Sequence, residues 1–418
     1  MRGAIWFIAW RQLIDRKLLS LIAVGGVALG VITLVAMNAI MQGFQMKFKG
    51  ELLRISPHVV LLDRKPGLGQ SVLAQVLPEP LAAHIFHALP ADRTARVERP
   101  VETIVALEAM PEVEAACPGL TGQALLSRGT QSLGVELHGV SPKVQERCTP
   151  ISPDITEGSF HALESTSDGL VLGASVAEQV GARLDDRLSM LSPGGQPISL
   201  RLVGIFETGM PAVDKTRAYV SLDTAQEVLR RPSVIGQLDV RLRDPWRANE
   251  LAARARAMTG HDAESWMDKN KNFLSLFGLQ AVVLQFVVGA ILIVGGFGIL
   301  AIQIMLVLQK TRDIAILRSV GLRRADILFI FVIQGALIAL VGAGTGDLIA
   351  WRLVSFLGTL RVNTEGILKS DRFVVYDDPH FYLWGFIFAL TVGLTASLVP
   401  AWRASRVEPV EVLRGQIG

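Results

Sequence analysis

The sequence predicts an α-helical membrane protein with four transmembrane helices and a large extracytoplasmic α+β domain between helices 1 and 2. Three observations carry that expectation. Half of the 418 residues are apolar. Four segments are long and uncharged enough to cross a hydrocarbon core of about 30 Å, which takes roughly 20 helical residues. Lys and Arg gather at one end of each of those segments, as the positive-inside rule requires of cytoplasmic ends.

Taken in order, residues 1–17 form a cytoplasmic interfacial helix, in which Trp6 and Trp10 suit the headgroup region. Residues 18–46 are the first span. Its apolar run far exceeds the 7–15 residues of a signal-peptide core, so it reads as a retained anchor. Residues 47–271 are the outer domain. The second span, 272–309, has not one Asp, Glu, Lys or Arg, a freedom from charge that core helices of soluble proteins rarely show. A charged, helix-forming connector, 310–324, leads to the third span, 325–354. An outer loop, 355–378, the fourth span, 379–402, and a tail, 403–418, complete the chain. Arg2, Arg11, Arg16 and Lys17 precede the first span, Lys310, Arg312, Arg318, Arg323 and Arg324 lie in the connector, and Arg403, Arg406 and Arg414 follow the fourth. All three groups fall on one side, which is cytoplasmic, and both ends of the chain lie there.

The outer domain has the composition of ordinary globular sequence. Strand-type runs recur at 59–62, 134–140, 170–172, 187–191, 199–206 and 217–221, with helical stretches at 102–110, 175–180, 222–229 and 245–259. Residues 64–100 lack a clean period and read as an excursion. The Pro/Gly cluster from Ser192 to Pro197 marks a short hairpin. Cys117 and Cys148 both lie in this domain. Two cysteines do not define a framework, so two buried free thiols are the plainer reading and a disulfide the alternative.

The sequence offers little that could carry out chemistry alone. The stretch nearest to a phosphate loop, Gly209 to Thr216, carries Asp214 where a second glycine belongs, placing negative charge where backbone amides must cradle phosphates. The seven histidines show no metal-ligand spacing; His58, His261 and His380 read as loop or strand-edge residues. No nucleophile elbow occurs. An enzyme acting alone is not expected. Any energy the protein uses comes from an ATPase on another chain, and no metal or cofactor is expected here.

Several stretches carry a family resemblance: Met41-Gln-Gly-Phe44 and Ile55-Ser-Pro-His-Val59 after the first span, Leu172-Gly-Ala-Ser175 with Gly181 and Asp186, Phe206-Glu-Thr-Gly-Met210, and Trp266 to Phe273. Lys310 to Gly321 and Pro400-Ala-Trp-Arg-Ala404 through Pro409-Val-Glu-Val-Leu413 complete them. On these the chain resembles the permease subunits of MacB/FtsX-like ABC transporters, most of all the LolC/LolE subunits of the lipoprotein-releasing system. The resemblance implies a MacB-like periplasmic core domain, a bacterial inner-membrane location and coupling to a cytoplasmic ABC ATPase dimer that holds ATP and Mg. It implies a second permease subunit, identical or paralogous, a lipoprotein substrate, and a periplasmic carrier or adaptor, with membrane lipid around the spans and no nucleic acid. In such relatives, closure of the ATPases is passed to the outer domains through the membrane helices. LolC-type subunits carry a longer hairpin arm than Ser192–Pro197, so a LolE-like role, a MacB-like exporter or an FtsX-like regulator of a cell-wall hydrolase also fits.

The connector agrees with a coupling role. A helix from Thr311 puts Ile314, Leu317 and the aliphatic part of Arg318 on one face, and Arg312 and Asp313 begin it. These six residues are the ATPase-coupling set, seated as a helix in a groove; a lipid-surface anchor is the other reading. By the resemblance, lipid-bearing substrate meets the outer ends of the first two spans, here Met37, Met41, Phe44 and Met46 on one and Phe273, Phe277, Val283 and Phe286 on the other. Met and Phe suit an adaptable acyl-chain surface, and ordinary lipid-facing or core positions account for the same residues. Gly26, Gly30, Gly342 and Gly346 read as close-packing positions; Gly295, Gly296 and Gly298 read as packing or as unusual flexibility.

Overall fold

The computed structural model describes residues 2–15, 17–63, 96–192, 196–361, 370 and 372–408. It divides into two compact units, one of Met1–Lys47, Ser275–Val362 and Asp371–Gly418, the other of Phe48–Leu274 and Asn363–Ser370.

The first unit is helical. It is built from α1 (Arg2–Asp15), α2 (Lys17–Ile55), α3 (Lys271–Gln309), α4 (Thr311–Ser319), α5 (Arg324–Thr359) and α6 (Pro379–Ser405), of which α2 and α3 continue into the second unit. Four of these, α2, α3, α5 and α6, are long and apolar enough to cross a membrane. Water drives no association between helices in lipid, so close backbone approach at small residues does that work. Gly30 of α2 abuts Leu292 of α3, Gly342 and Gly346 of α5 abut Val27 and Ala28 of α2, and Gly393 of α6 abuts Ala339 of α5. Gly295 faces Gly26 across the α2–α3 seam and Gly296 faces Val392, leaving only Gly298 of that trio in open space. Around these seams Val27, Val31, Val35, Leu292, Ile299 and Ile338 form one buried cluster. The segment before α6 is fastened to α2: the Tyr376 N–H donates to the Ala39 carbonyl at 2.9 Å, and the Val375 backbone rests on Gly43.

The second unit is a sheet of ten strands among the described residues: β1 (Val59–Leu62), β2 (Val113–Arg128), β3 (Gln131–Val140), β4 (Ile155–Gly158), β5 (Gly169–Gly173), β6 (Arg187–Leu191), β7 (Ile198–Phe206), β8 (Arg217–Ser221), β9 (Gln237–Leu242) and β10 (Asp262–Ser265). The order is β10-β1-β9-β2-β3-β8-β5-β7-β4, and β6 pairs with both β2 and β7. Strands β2, β3, β8, β5, β7 and β6 therefore close into a ring of pairings. Leu120, Leu126, Leu137, Leu170, Leu188 and Leu202 belong to the buried aliphatic core of these strands. β3 with β8 and β5 with β7 pair in parallel, the rest of the ring antiparallel. At Gly119 the long β2 changes partners, from β9 before it to β3 after it.

Cys117 on β2 and Cys148, at the end of the helix Pro142–Cys148, form a disulfide with a Cα separation of 6.3 Å. This corrects the expectation of free thiols: that helix packs its buried face on the β2/β9 part of the sheet, and both cysteines are buried there with Ala115. Cross-linking across 31 residues contributes about 4 kcal/mol through the unfolded chain. Most of the excursion 64–100 and the hairpin tip 193–195 lie outside the described residues, as does the stretch Pro409 to Leu413.

Candidate functional site in the connector and the anchored end of the first long helix

The helix α4 follows α3 after Lys310, whose ammonium pairs with Asp313 at 2.8 Å. The helix ends at Gly321, whose φ of +106° a side chain would resist, and the Leu322 N–H returns to the Leu317 carbonyl. Ile314 is 2 % exposed. It is buried in a cluster with Ala9, Val307, Ile327, Phe331, Ala401 and Ala404, with Leu317 packed at its edge. Arg318 donates to the Val407 carbonyl. The alanines of Pro400-Ala-Trp-Arg-Ala404 thus pack in the cluster that holds the connector.

This corrects the face assigned from the sequence. Ile314 and Leu317 recur on one side of the helix, but that side is spent on the chain's own helices. What remains outward is a stripe of Arg312, Asp313, Ile316, Ser319 and Val320, with Ile316 46 % and Val320 78 % exposed. The positions 312, 316 and 320 lie one above another on an α-helix. Thr311 turns its hydroxyl back to the Val307 and Leu308 carbonyls.

A second constellation was not anticipated. Near its C-terminal end α2 carries Arg54, whose Nη1 donates to both Asp154 oxygens at 2.7 Å, whose Nε donates to Glu51 at 2.8 Å, and whose Nη2 donates to the Thr208 carbonyl at 3.2 Å. Asp154 is only 11 % exposed. The last carbonyls of a helix lack intrahelical partners; the Ile55 carbonyl accepts from Arg217 at 3.4 Å. Thr208 is itself fixed: its N–H and hydroxyl donate to Asp214 Oδ1 at 2.9 and 2.8 Å. Burial pushes the Asp214 carboxyl up from its ordinary value, with the two Thr208 donors pulling the other way. Burial likewise raises Asp154, against the pull of Arg54.

The motifs that looked inert therefore meet here. Phe206-Glu-Thr-Gly-Met210 supplies Thr208, Asp214 of the near-phosphate loop holds Thr208, and Gly173 of Leu172-Gly-Ala-Ser175 leaves room for the Asp214 backbone, which any Cβ would strike. His58, from Ile55-Ser-Pro-His-Val59, is buried and accepts the Leu242 N–H on Nδ1 at 3.0 Å. Desolvation, then Arg241, lowers its pKa. The Trp266 N–H donates to the His58 carbonyl at 2.9 Å.

Of the residues assigned to a lipid surface, Met37, Met46, Phe273, Val283 and Phe286 are exposed. Met41 is half-buried on the helical core, Phe44 meets Phe277 edge-on at 6.1 Å, and Phe273 lies against Phe48 at 5.7 Å. Among the described residues no group of His, Cys, Asp and Glu could hold a metal ion.

Four membrane-capable helices in a chain that also carries a ring-closed sheet unit define a multi-pass membrane protein. The chain belongs to the family of MacB-like periplasmic core domain proteins, matched over residues 20–258, and carries the FtsX-like permease C-terminal region over 285–409. It is 26 % identical to the lipoprotein-releasing system transmembrane protein LolC of Neisseria meningitidis over 95 % of this chain and 94 % of that protein. It is 26 % identical to the LolE protein of Haemophilus influenzae, over 98 % of each chain. The macrolide export ATP-binding/permease protein MacB of Agrobacterium fabrum is 24 % identical over 97 % of this chain but 62 % of its own length.

Proposed function

We propose that this chain is a permease subunit of an ATP-binding-cassette transporter that extracts lipoproteins from the outer leaflet of the bacterial inner membrane by mechanotransmission. The exposed Ile316/Val320 stripe carries this reading: two aliphatic side chains stand outward on a short charged helix whose other face is already buried. In this reading residues 47–271 are a periplasmic α+β domain between spans one and two, and residues 310–324 are a cytoplasmic coupling segment. ATP and Mg belong to an ATPase dimer that receives the stripe, and a second permease completes the pair. The likeness to LolC and LolE over nearly the whole chain supports lipoproteins as cargo.

A MacB-like exporter working with a periplasmic adaptor is the second reading, favoured by one observation. β6 and β7 are joined only by residues 192–197, too few for a long carrier-recruiting arm.

The test is the double substitution Ile316→Asp and Val320→Asp. Both lie beyond the apolar spans, so insertion should be normal, while charge on a face that must be desolvated costs several kcal/mol of docking. The expected result is a stable chain that no longer copurifies with its ATPase and releases no lipoprotein from proteoliposomes. Survival of both properties would remove the stripe from the mechanism.

A further inference from the structure

The helical unit holds a cavity of ≈ 390 Å³ between α2, α3 and α6, within the range of small-molecule sites. Its lining shares no residue with the Met and Phe set at the outer ends of the first two spans. Its walls are apolar, with Leu284 from α3 and Phe388 and Trp384 from α6, but three amides enter it: Asn38 and Gln42, one helical turn apart on α2, and Gln285 on α3. The Asn38 amide nitrogen donates to the Leu34 carbonyl at 2.8 Å. No hydrogen bond joins the Gln42 or Gln285 side chain to any described residue.

Polar side chains within spans are costly and are kept where something answers them. No Asp, Glu, Lys, Arg or His lines the cavity, so its polar groups do not match a phosphate or a carboxylate. Neutral amides and an indole N–H match the carbonyls of acyl esters, and the apolar walls match the chains attached to them. By the charge distribution the N-terminal end of α6 and the C-terminal half of α2 lie toward the outer leaflet. Phe388 and Trp384 are 40 % and 65 % exposed, which leaves the cavity open sideways to lipid. We infer that this cavity is a seat for one glycerophospholipid of the outer leaflet, its ester carbonyls held by Gln42, Gln285 and Trp384 and an acyl chain lying along Leu284 and Phe388. The seat needs only the membrane placement of these helices, so its failure and that of the lipoprotein reading are separable.

The full chain carrying benzoylphenylalanine at Phe388, or at the exposed Phe297 as a control, is reconstituted in vesicles of phosphatidylethanolamine and phosphatidylglycerol. It is then washed into lipid-free detergent and irradiated, and the adduct is identified by mass. A seated lipid survives the wash, so Phe388 should give a phospholipid adduct and Phe297 none. Replacing Gln42 and Gln285 together by Leu should cut the Phe388 adduct about thirtyfold, as expected for two lost hydrogen bonds worth about 1 kcal/mol each. Gly289→Leu tests the same seat independently, since Gly289 lines the cavity and a Cβ there meets nothing within 4 Å; it should displace the lipid without disturbing the helices. An adduct unchanged by both sets of substitutions, or lost in the wash equally from both positions, overturns the seat. Displacement of the phospholipid by an equimolar triacylated-cysteine lipopeptide also overturns it, by making the cavity a substrate subsite.

Discussion

The connector α4 and the last turns of α2 are both charged helix ends, and they dispose of their side chains in opposite ways. At α2 every donor group of Arg54 is matched within the chain: Asp154 and Glu51 take two, the Thr208 carbonyl takes the third, and Asp214 holds Thr208. At α4 the inward residues are equally well placed, but Ile316 and Val320 stand exposed beside Arg312. Closed polar networks fix geometry and specify one arrangement. The aliphatic stripe left open on α4 takes no part in such a network, and it is this open face that the proposed reading gives to an ATPase. One region closes its side chains within the chain; the other leaves two of them open.

The largest expected effect separates the two faces of α4. Ile314→Ala empties a buried site and should cost about 2–4 kcal/mol of stability, whereas Ile316→Ala, on the surface, should stay within about 0.5 kcal/mol. Thermal unfolding of the detergent-solubilised chain, run beside ATPase copurification, checks both. Equal destabilisation by the two, or loss of the ATPase from Ile314→Ala under conditions where the chain is fully folded, would return the docking face to the side read from the sequence.

Next in size is the closed end. Arg54→Ala leaves Asp154 nearly buried without its cation and the Thr208 carbonyl without a donor. Breaking a fully buried pair costs roughly 3–5 kcal/mol; because Arg54 is a third exposed, about 2 kcal/mol is expected. Asp154→Asn, which keeps an acceptor for Arg54, should cost less. If Arg54→Ala leaves the protease resistance of the sheet unit unchanged, the network is decoration and the contrast with α4 falls.

The sequence showed one of these regions better than the other. The spans were legible because a charge-free stretch as long as 272–309 is rare outside a membrane, and the small residues of α2 and α5 lie on the seams their spacing suggested. The connector's helix and its apolar face were legible too, since periodicity identifies a stripe. It does not tell which neighbour covers the stripe, and Ile314 met the chain's own Ile327 and Phe331. The Arg54 network was invisible because Asp154 and Thr208 lie 100 and 154 residues beyond Arg54 and each member is commonplace alone. β2 was missed for a local reason: Pro118, Gly119 and Gly122 depress strand propensity in the stretch where the strand changes partners.

The smallest effect is a pH dependence confined to the closed side. His58 accepts the Leu242 N–H on Nδ1, so protonating that nitrogen would set one donor against another. Desolvation and Arg241 depress its pKa below the ordinary 6.5. A histidine with a depressed folded pKa contributes stability that is present above the unfolded value and lost as the pH falls through the folded one. The sheet unit should therefore weaken on acidification below about pH 6.5, by about 1 kcal/mol for this hydrogen bond. His58→Asn, which keeps an acceptor that does not titrate, should flatten that part of the slope when the unfolding midpoint of the full chain is followed from pH 7.5 to about 5. Under the proposed reading α4 docks on an ATPase through Ile316 and Val320, and ATPase copurification should not change with His58→Asn. An unaltered slope in the variant would assign the acid sensitivity to other groups and remove His58 from the fixed end.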